Sequence, residues 1–149
     1  MYYLKALAPL ALALGSSASV LTAGVGLLTS TQVAAAEVAS SGQFVGDRAH
    51  PASGTASIVR LKGGGLGIKL HADFKVRGGP DLRVWFSGAD APKGGRAVRA
   101  AGQIDLGGLD SSSGEQIYRL PADYDIADAQ SVVIWCRAFG VFFGAAPLR

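Results

Sequence analysis

Leu66-Gly67-Ile68-Lys69-Leu70-His71-Ala72-Asp73-Phe74-Lys75 decides the fold, because apolar residues at 66, 68, 70, 72 and 74 alternate with Gly67, Lys69, His71, Asp73 and Lys75. Successive side chains on a strand point to opposite faces, so this stretch buries one face and wets the other. Outward from it, strand character recurs at 55–61, 82–87, 98–106, 116–120, 132–136 and 141–144, each run bounded by Gly, Pro, Asp or Ser. Gly63-Gly64-Gly65, Gly78-Gly79-Pro80-Asp81, Pro92-Lys93-Gly94-Gly95 and Ser111-Ser112-Ser113-Gly114 are turn compositions. About seven to eight short strands at this spacing predict an all-β fold, an antiparallel β-sandwich or a partly closed barrel. Leu66, Ile68, Leu70, Ala72 and Phe74 are expected to face one core with Leu82, Val84 and Phe86. No stretch after the N-terminal region sustains a helical period, and residues 123–130 amount to one helical turn at most.

The N-terminus reads differently. Lys5 is the only charge in residues 1–36, residues 6–28 are almost all Ala, Leu, Val, Gly and Ser, and Val33-Ala34-Ala35-Ala36 offers small residues at a cleavage site. The expectation is a signal peptide over 1–36 and a single domain over 37–149, placed outside the cytoplasm as a periplasmic or secreted protein. Residues 6–28 are long enough to span a membrane. Their Ala, Ser and Gly content and the cleavage site that follows favour removal, which leaves no stable membrane span. Val25 stands where a lipoprotein would carry its cysteine, so no lipid anchor is expected. Residues 37–41 are expected to be a loose tail.

The 14 Lys and Arg against 11 Asp and Glu give a net charge of +3. The basic residues stand singly among acidic ones, which argues against a nucleic-acid partner. A monomer is expected, with a redox or envelope protein as its partner. Gly63-Gly64-Gly65-Leu66-Gly67 lies between two strands with no helix behind it and is a turn, not a phosphate cradle. Gly-x-Ser-x-Gly, His-Glu-x-x-His and Cys-x-x-Cys spacings are all missing, so the chain carries no enzyme signature.

Cys136 is the single cysteine, which forbids an internal disulfide. It ends the run Val132-Val133-Ile134-Trp135-Cys136, apolar on both faces, as expected of a central strand covered on both sides. Arg137 follows it, but neighbours on a strand point apart, so contact with the sulfur does not follow from adjacency. Two readings of Cys136 stand together: an inert core thiol, the common state of a buried cysteine, or a reactive thiol. The second requires the end of the strand to open to a pocket near Pro51, where His50 could reach the sulfur. His71 and Asp73 share a face, but two ligands do not make a closed site, and no metal site is expected.

The order Gly42-Gln43-Phe44, His50 followed by Gly54, Asp73-Phe74, Gly79-Pro80-Asp81-Leu82, Gly114-Glu115-Gln116-Ile117-Tyr118-Arg119-Leu120-Pro121 and Val133-Ile134-Trp135-Cys136 resembles the DM-thirteen domain. This is a small extracytoplasmic β domain labelled an electron-transfer family, and the resemblance covers about residues 42–149. It implies that Cys136 is a redox-active cysteine and that His50 is the histidine of the first motif. It departs at Leu109-Asp110-Ser111, where the family usually carries Leu-Lys-Gly. The two functions in competition are a redox module, in which Cys136 cycles through sulfenate or a mixed disulfide or ligates haem or copper, and an extracytoplasmic binding module with Cys136 as core.

Overall fold

The computed structural model describes residues 38–149, and the expected leader over 1–36 lies outside them. The chain runs through β1 (Val38–Gln43), β2 (Val45–Gly46), β3 (Ala52–Ser53), β4 (Thr55–Arg60), β5 (Leu66–Leu70), β6 (Lys75–Val76) and β7 (Leu82–Ser87). It continues through α1 (Gly95–Ala101), β8 (Gln103–Gly108), β9 (Gln116–Arg119), a 3-10 turn (Ile126–Asp128), β10 (Ser131–Cys136) and β11 (Val141–Pro147). One antiparallel sheet has the order β1-β4-β5-β9, a second the order β2-β11-β10-β7-β8, and β3 pairs with β6 as a small ribbon. The architecture is an all-β sandwich, with no sheet closed into a barrel.

Ile58, Ile68, Leu70 and Tyr118 of the first sheet form one buried cluster with Leu82, Val84, Phe86, Val132, Ile134, Cys136 and Phe143 of the second. Each fully buried Val, Leu, Ile or Phe contributes about 1.5–3 kcal/mol relative to exposure, so this cluster dominates stability. The opposite face of the second sheet carries Trp85, Val133, Trp135, Phe142 and Ala145, covered by Val98 of α1. All six residues of β10 are therefore buried, as expected of a strand covered on both sides.

Four features differ from expectation. β5 ends at Leu70, because the chain turns at residues 71–74: Phe74 N–H donates to the His71 carbonyl at 2.9 Å. Asp73 there accepts from both the N–H and the hydroxyl of Thr55. Leu70 and Phe74 stay in the core and Ala72 is exposed. Residues 38–41 are not a tail but part of β1, held to β4 by main-chain pairing and to Arg149 by reciprocal Ser41 bonds. Residues 95–101 form α1 rather than part of a strand from 98 to 106; Arg and Ala favour helix, and Gly102 at φ 79° ends it. The two-residue strands β2, β3 and β6 raise the strand count above the expected seven or eight. No helix among the described residues is long and apolar enough to cross a membrane.

Candidate functional site

The period of two along β10 sends Val132, Ile134 and Cys136 to the inter-sheet core and Val133 and Trp135 to the other face. Cys136 closes the strand, opposite Leu82 of β7 and Val141 of β11. The hairpin then turns through Arg137-Ala138-Phe139-Gly140, with Gly140 at φ 65°. The bulge between Ile134 and Trp135 in the pairing with β11 lies next to this end.

Cys136 is 1% exposed, and its S–H donates to the Pro80 carbonyl at 3.0 Å. Arg137 points away from it: its Nε donates to Asp81 Oδ2 at 2.6 Å, and its main-chain N–H donates to the Asp81 carbonyl. The Gly79-Pro80-Asp81-Leu82 turn thus clamps the end of β10 at three points. Two stretches that carried the family resemblance, far apart in sequence, meet here.

Cys136 also forms part of the wall of a surface cavity of about 230 Å³, shared with His50, Arg77, Gly79, Phe139 and Phe143. Phe139 stands at its side 73% exposed. The structure brings both sequence-predicted site residues to this cavity. His50 reaches it because β2 and β3 anchor the two ends of the 47–51 loop, β2 on β11 and β3 on β6. Its ring packs on Phe143 of β11, with centroids 4.5 Å apart.

Asp47, which sequence reasoning passed over, sits three residues before His50. Its Oδ1 accepts the His50 main-chain N–H at 2.6 Å and lies 3.4 Å from His50 Nδ1. The main-chain N–H, helped by the ring, holds the Asp47 carboxyl below its ordinary value near 3.8. The sequence signal was an aspartate three residues ahead of a histidine in a loop, a spacing at which a carboxylate can accept a main-chain N–H as a helix cap does.

The other candidates do not join the site. His71 Nε2 shares a hydrogen bond with the buried Ser57 hydroxyl at 2.8 Å, while Asp73 binds Thr55. Gln116 and Tyr118 brace the neighbouring loop: Tyr118 donates to Gln116 Oε1 and accepts from Asp110 N–H, and Gln116 exchanges bonds with the Ser111 main chain. Burial raises the Tyr118 hydroxyl above its ordinary value. No three of His, Cys, Asp and Glu gather as a metal-binding group among the described residues, so for haem or copper the cavity offers one thiol and one imidazole.

A family model described as Electron transfer DM13 matches residues 43–148. No curated protein and no solved structure matches this sequence.

Proposed function

Because the chain belongs to the Electron transfer DM13 family, we propose that Cys136 is the group through which it exchanges electrons. In this reading the chain is an exported domain, residues 37–149, released from a leader over 1–36. The observation that supports it is the cavity: the only cysteine, although buried, forms part of the wall of a surface hollow that also holds a histidine. A thiol serving only as core filler needs no such opening.

A lone thiol cannot close an internal disulfide, so its chemistry is intermolecular. The reaction that fits is thiol–disulfide exchange with a disulfide presented at the cavity mouth. His50 takes the thiol proton, and the Cys136 sulfur attacks one sulfur of the incoming disulfide. The new S–S bond forms as the old one breaks, and the departing sulfur takes up the proton from the imidazolium. An external thiol then attacks the partner's sulfur in the mixed disulfide, and Cys136 leaves and takes up the proton that the external thiol gives up. The net result exchanges one thiol for another across a disulfide: the sulfur first released is reduced to a thiol as the external sulfur is oxidised to disulfide level, and Cys136 is regenerated.

The bond from Cys136 to Pro80 favours one competitor, a binding module in which the sulfur is core and Phe139 is the presented contact. Thiol labelling separates the two. Modification of the folded protein by a small thiol reagent supports the redox reading, and modification only after denaturation supports the binding module. A folded Cys136→Ser variant that keeps full disulfide-exchange activity overturns the redox reading outright.

A further inference from the structure

We propose that Asp47 is a positioning residue that fixes the proton on Nδ1 of His50 and so leaves Nε2 as the nitrogen that serves Cys136 across the cavity; this rests on the redox reading above. The observation is a buried ring nitrogen without a hydrogen-bond partner. His50 Nδ1 is enclosed, and Asp47 Oδ1 lies 3.4 Å from it, beyond the ordinary range of an N–H···O bond. An ionised carboxylate only accepts hydrogen bonds. A bare imidazole nitrogen facing it sets lone pair against negative charge, whereas a protonated one is attracted. Asp47 is held ionised by the His50 main-chain N–H, so Nδ1 carries the proton. In a neutral ring Nε2 is then the acceptor.

Contacts on the ring and on its loop oppose a flip that would carry Nδ1 away from Asp47. One side packs on Phe143, and the loop that carries it is tied by Arg77 N–H to the Pro51 carbonyl at 3.1 Å. The charged and titratable groups that share its surroundings are few. Asp47 comes from its own loop, Arg77 from the segment after β6, and Cys136 from β10. The Arg77 guanidinium donates to the Ala49 carbonyl at 3.4 Å. Phe139 and Phe143 add no charge, and Asp81 and Arg137 are paired with each other at the hairpin end. Asp47 is therefore the only carboxylate among these groups in contact with the imidazole. Its side chain is 42% exposed, so solvent screens it and the expected effect is severalfold rather than many orders.

The test uses Asp47→Asn, which keeps an oxygen for the His50 main-chain N–H and removes the charge, with His50→Gln beside it. Two readouts are taken on the whole protein: the ¹⁵N shifts of the imidazole nitrogens, assigned by their loss in His50→Gln, and the rate of Cys136 alkylation by iodoacetamide from pH 5 to 9. The expected result is an Nδ1–H tautomer in the wild type that gives way towards Nε2–H in Asp47→Asn. Alkylation at neutral pH then falls severalfold, and its rise moves to higher pH. An unchanged tautomer in Asp47→Asn overturns the inference whatever the thiol does. A changed tautomer with wild-type alkylation overturns it too, while leaving Cys136 as the redox group. If the folded wild type is not alkylated at all, the redox reading falls and the inference falls with it.

Discussion

Replacing Gly46 by alanine should damage fold and site together. Gly46 lies in β2, where the chain passes under the loop that delivers His50. A Cβ built there would sit 2.1 Å from the Ala52 amide nitrogen and 2.9 Å from the Phe143 carbonyl oxygen. Both obstacles are main chain and cannot swing aside like a side-chain tip. Ala52 would have to retreat by more than an ångström to restore ordinary contact, which pulls β3 and the 47–51 loop off β11. Overpacking of this kind costs about 1–3 kcal/mol. For a domain near this size that lowers the melting temperature by roughly 5–15 °C. Gly63→Ala is the control, since nothing lies within 4 Å of its Cβ position. Thermal unfolding followed by circular dichroism reads the effect, and alkylation of Cys136 in folded Gly46→Ala should resemble that of His50→Gln. A melting temperature within a degree or two of the wild type would show that the loop is not seated where the argument needs it.

Leu70 is fully buried between the sheets, so Leu70→Asp should cost several kcal/mol and leave little folded protein at 37 °C; an unchanged denaturation midpoint would contradict the face assignment. Trp135 stacks on Trp85 at 4.7 Å and lies under the Arg99 guanidinium. Trp135→Ala should cost about 3–5 kcal/mol and abolish any coupled-indole signal in circular dichroism, and retention of that signal would refute the stack. The Asp73 carboxyl is held below its ordinary value of 3.8, first by the Thr55 main-chain N–H and then by its hydroxyl. A lowered folded-state value means stability that is present above the ordinary value and lost as pH falls through the folded one. Asp73→Asn should therefore flatten the decline of stability below about pH 4, measured by urea unfolding, whereas a parallel decline in both proteins would count against those bonds.

The alternation at 66–70 was legible because one face of β5 is core and the other is not. It misled beyond Leu70 because Ala72 and Phe74 keep the period by chance through a turn set by Asp73 and Thr55. β1 was hidden for the opposite reason. Val38-Ala39-Ser40-Ser41-Gly42-Gln43 has no apolar stripe, and main-chain pairing holds it in place. α1 has one buried residue, Val98, and a single residue cannot declare a period. At the site, Cys136 and His50 stood out as scarce reactive groups, and the covered strand was readable from its apolar run. The clamp from Pro80 and Asp81 was not, because it depends on which strand lies beside β10. Asp47 was overlooked because its work is done on the neighbour three residues away, in a loop without periodicity.

The central claim is that the thiol of Cys136, a residue 1% exposed, reacts from within the folded state through the cavity it shares with His50. The direct measurement is the rate at which a small aromatic disulfide forms a mixed disulfide with Cys136, compared with the rate of global unfolding from hydrogen exchange on the same sample. The account predicts a stoichiometric adduct formed well before the slowest core amides exchange. It also predicts that the reaction slows in His50→Gln. An adduct that appears only as fast as the whole domain opens, in wild type and variant alike, would make Cys136 a core residue and contradict the account.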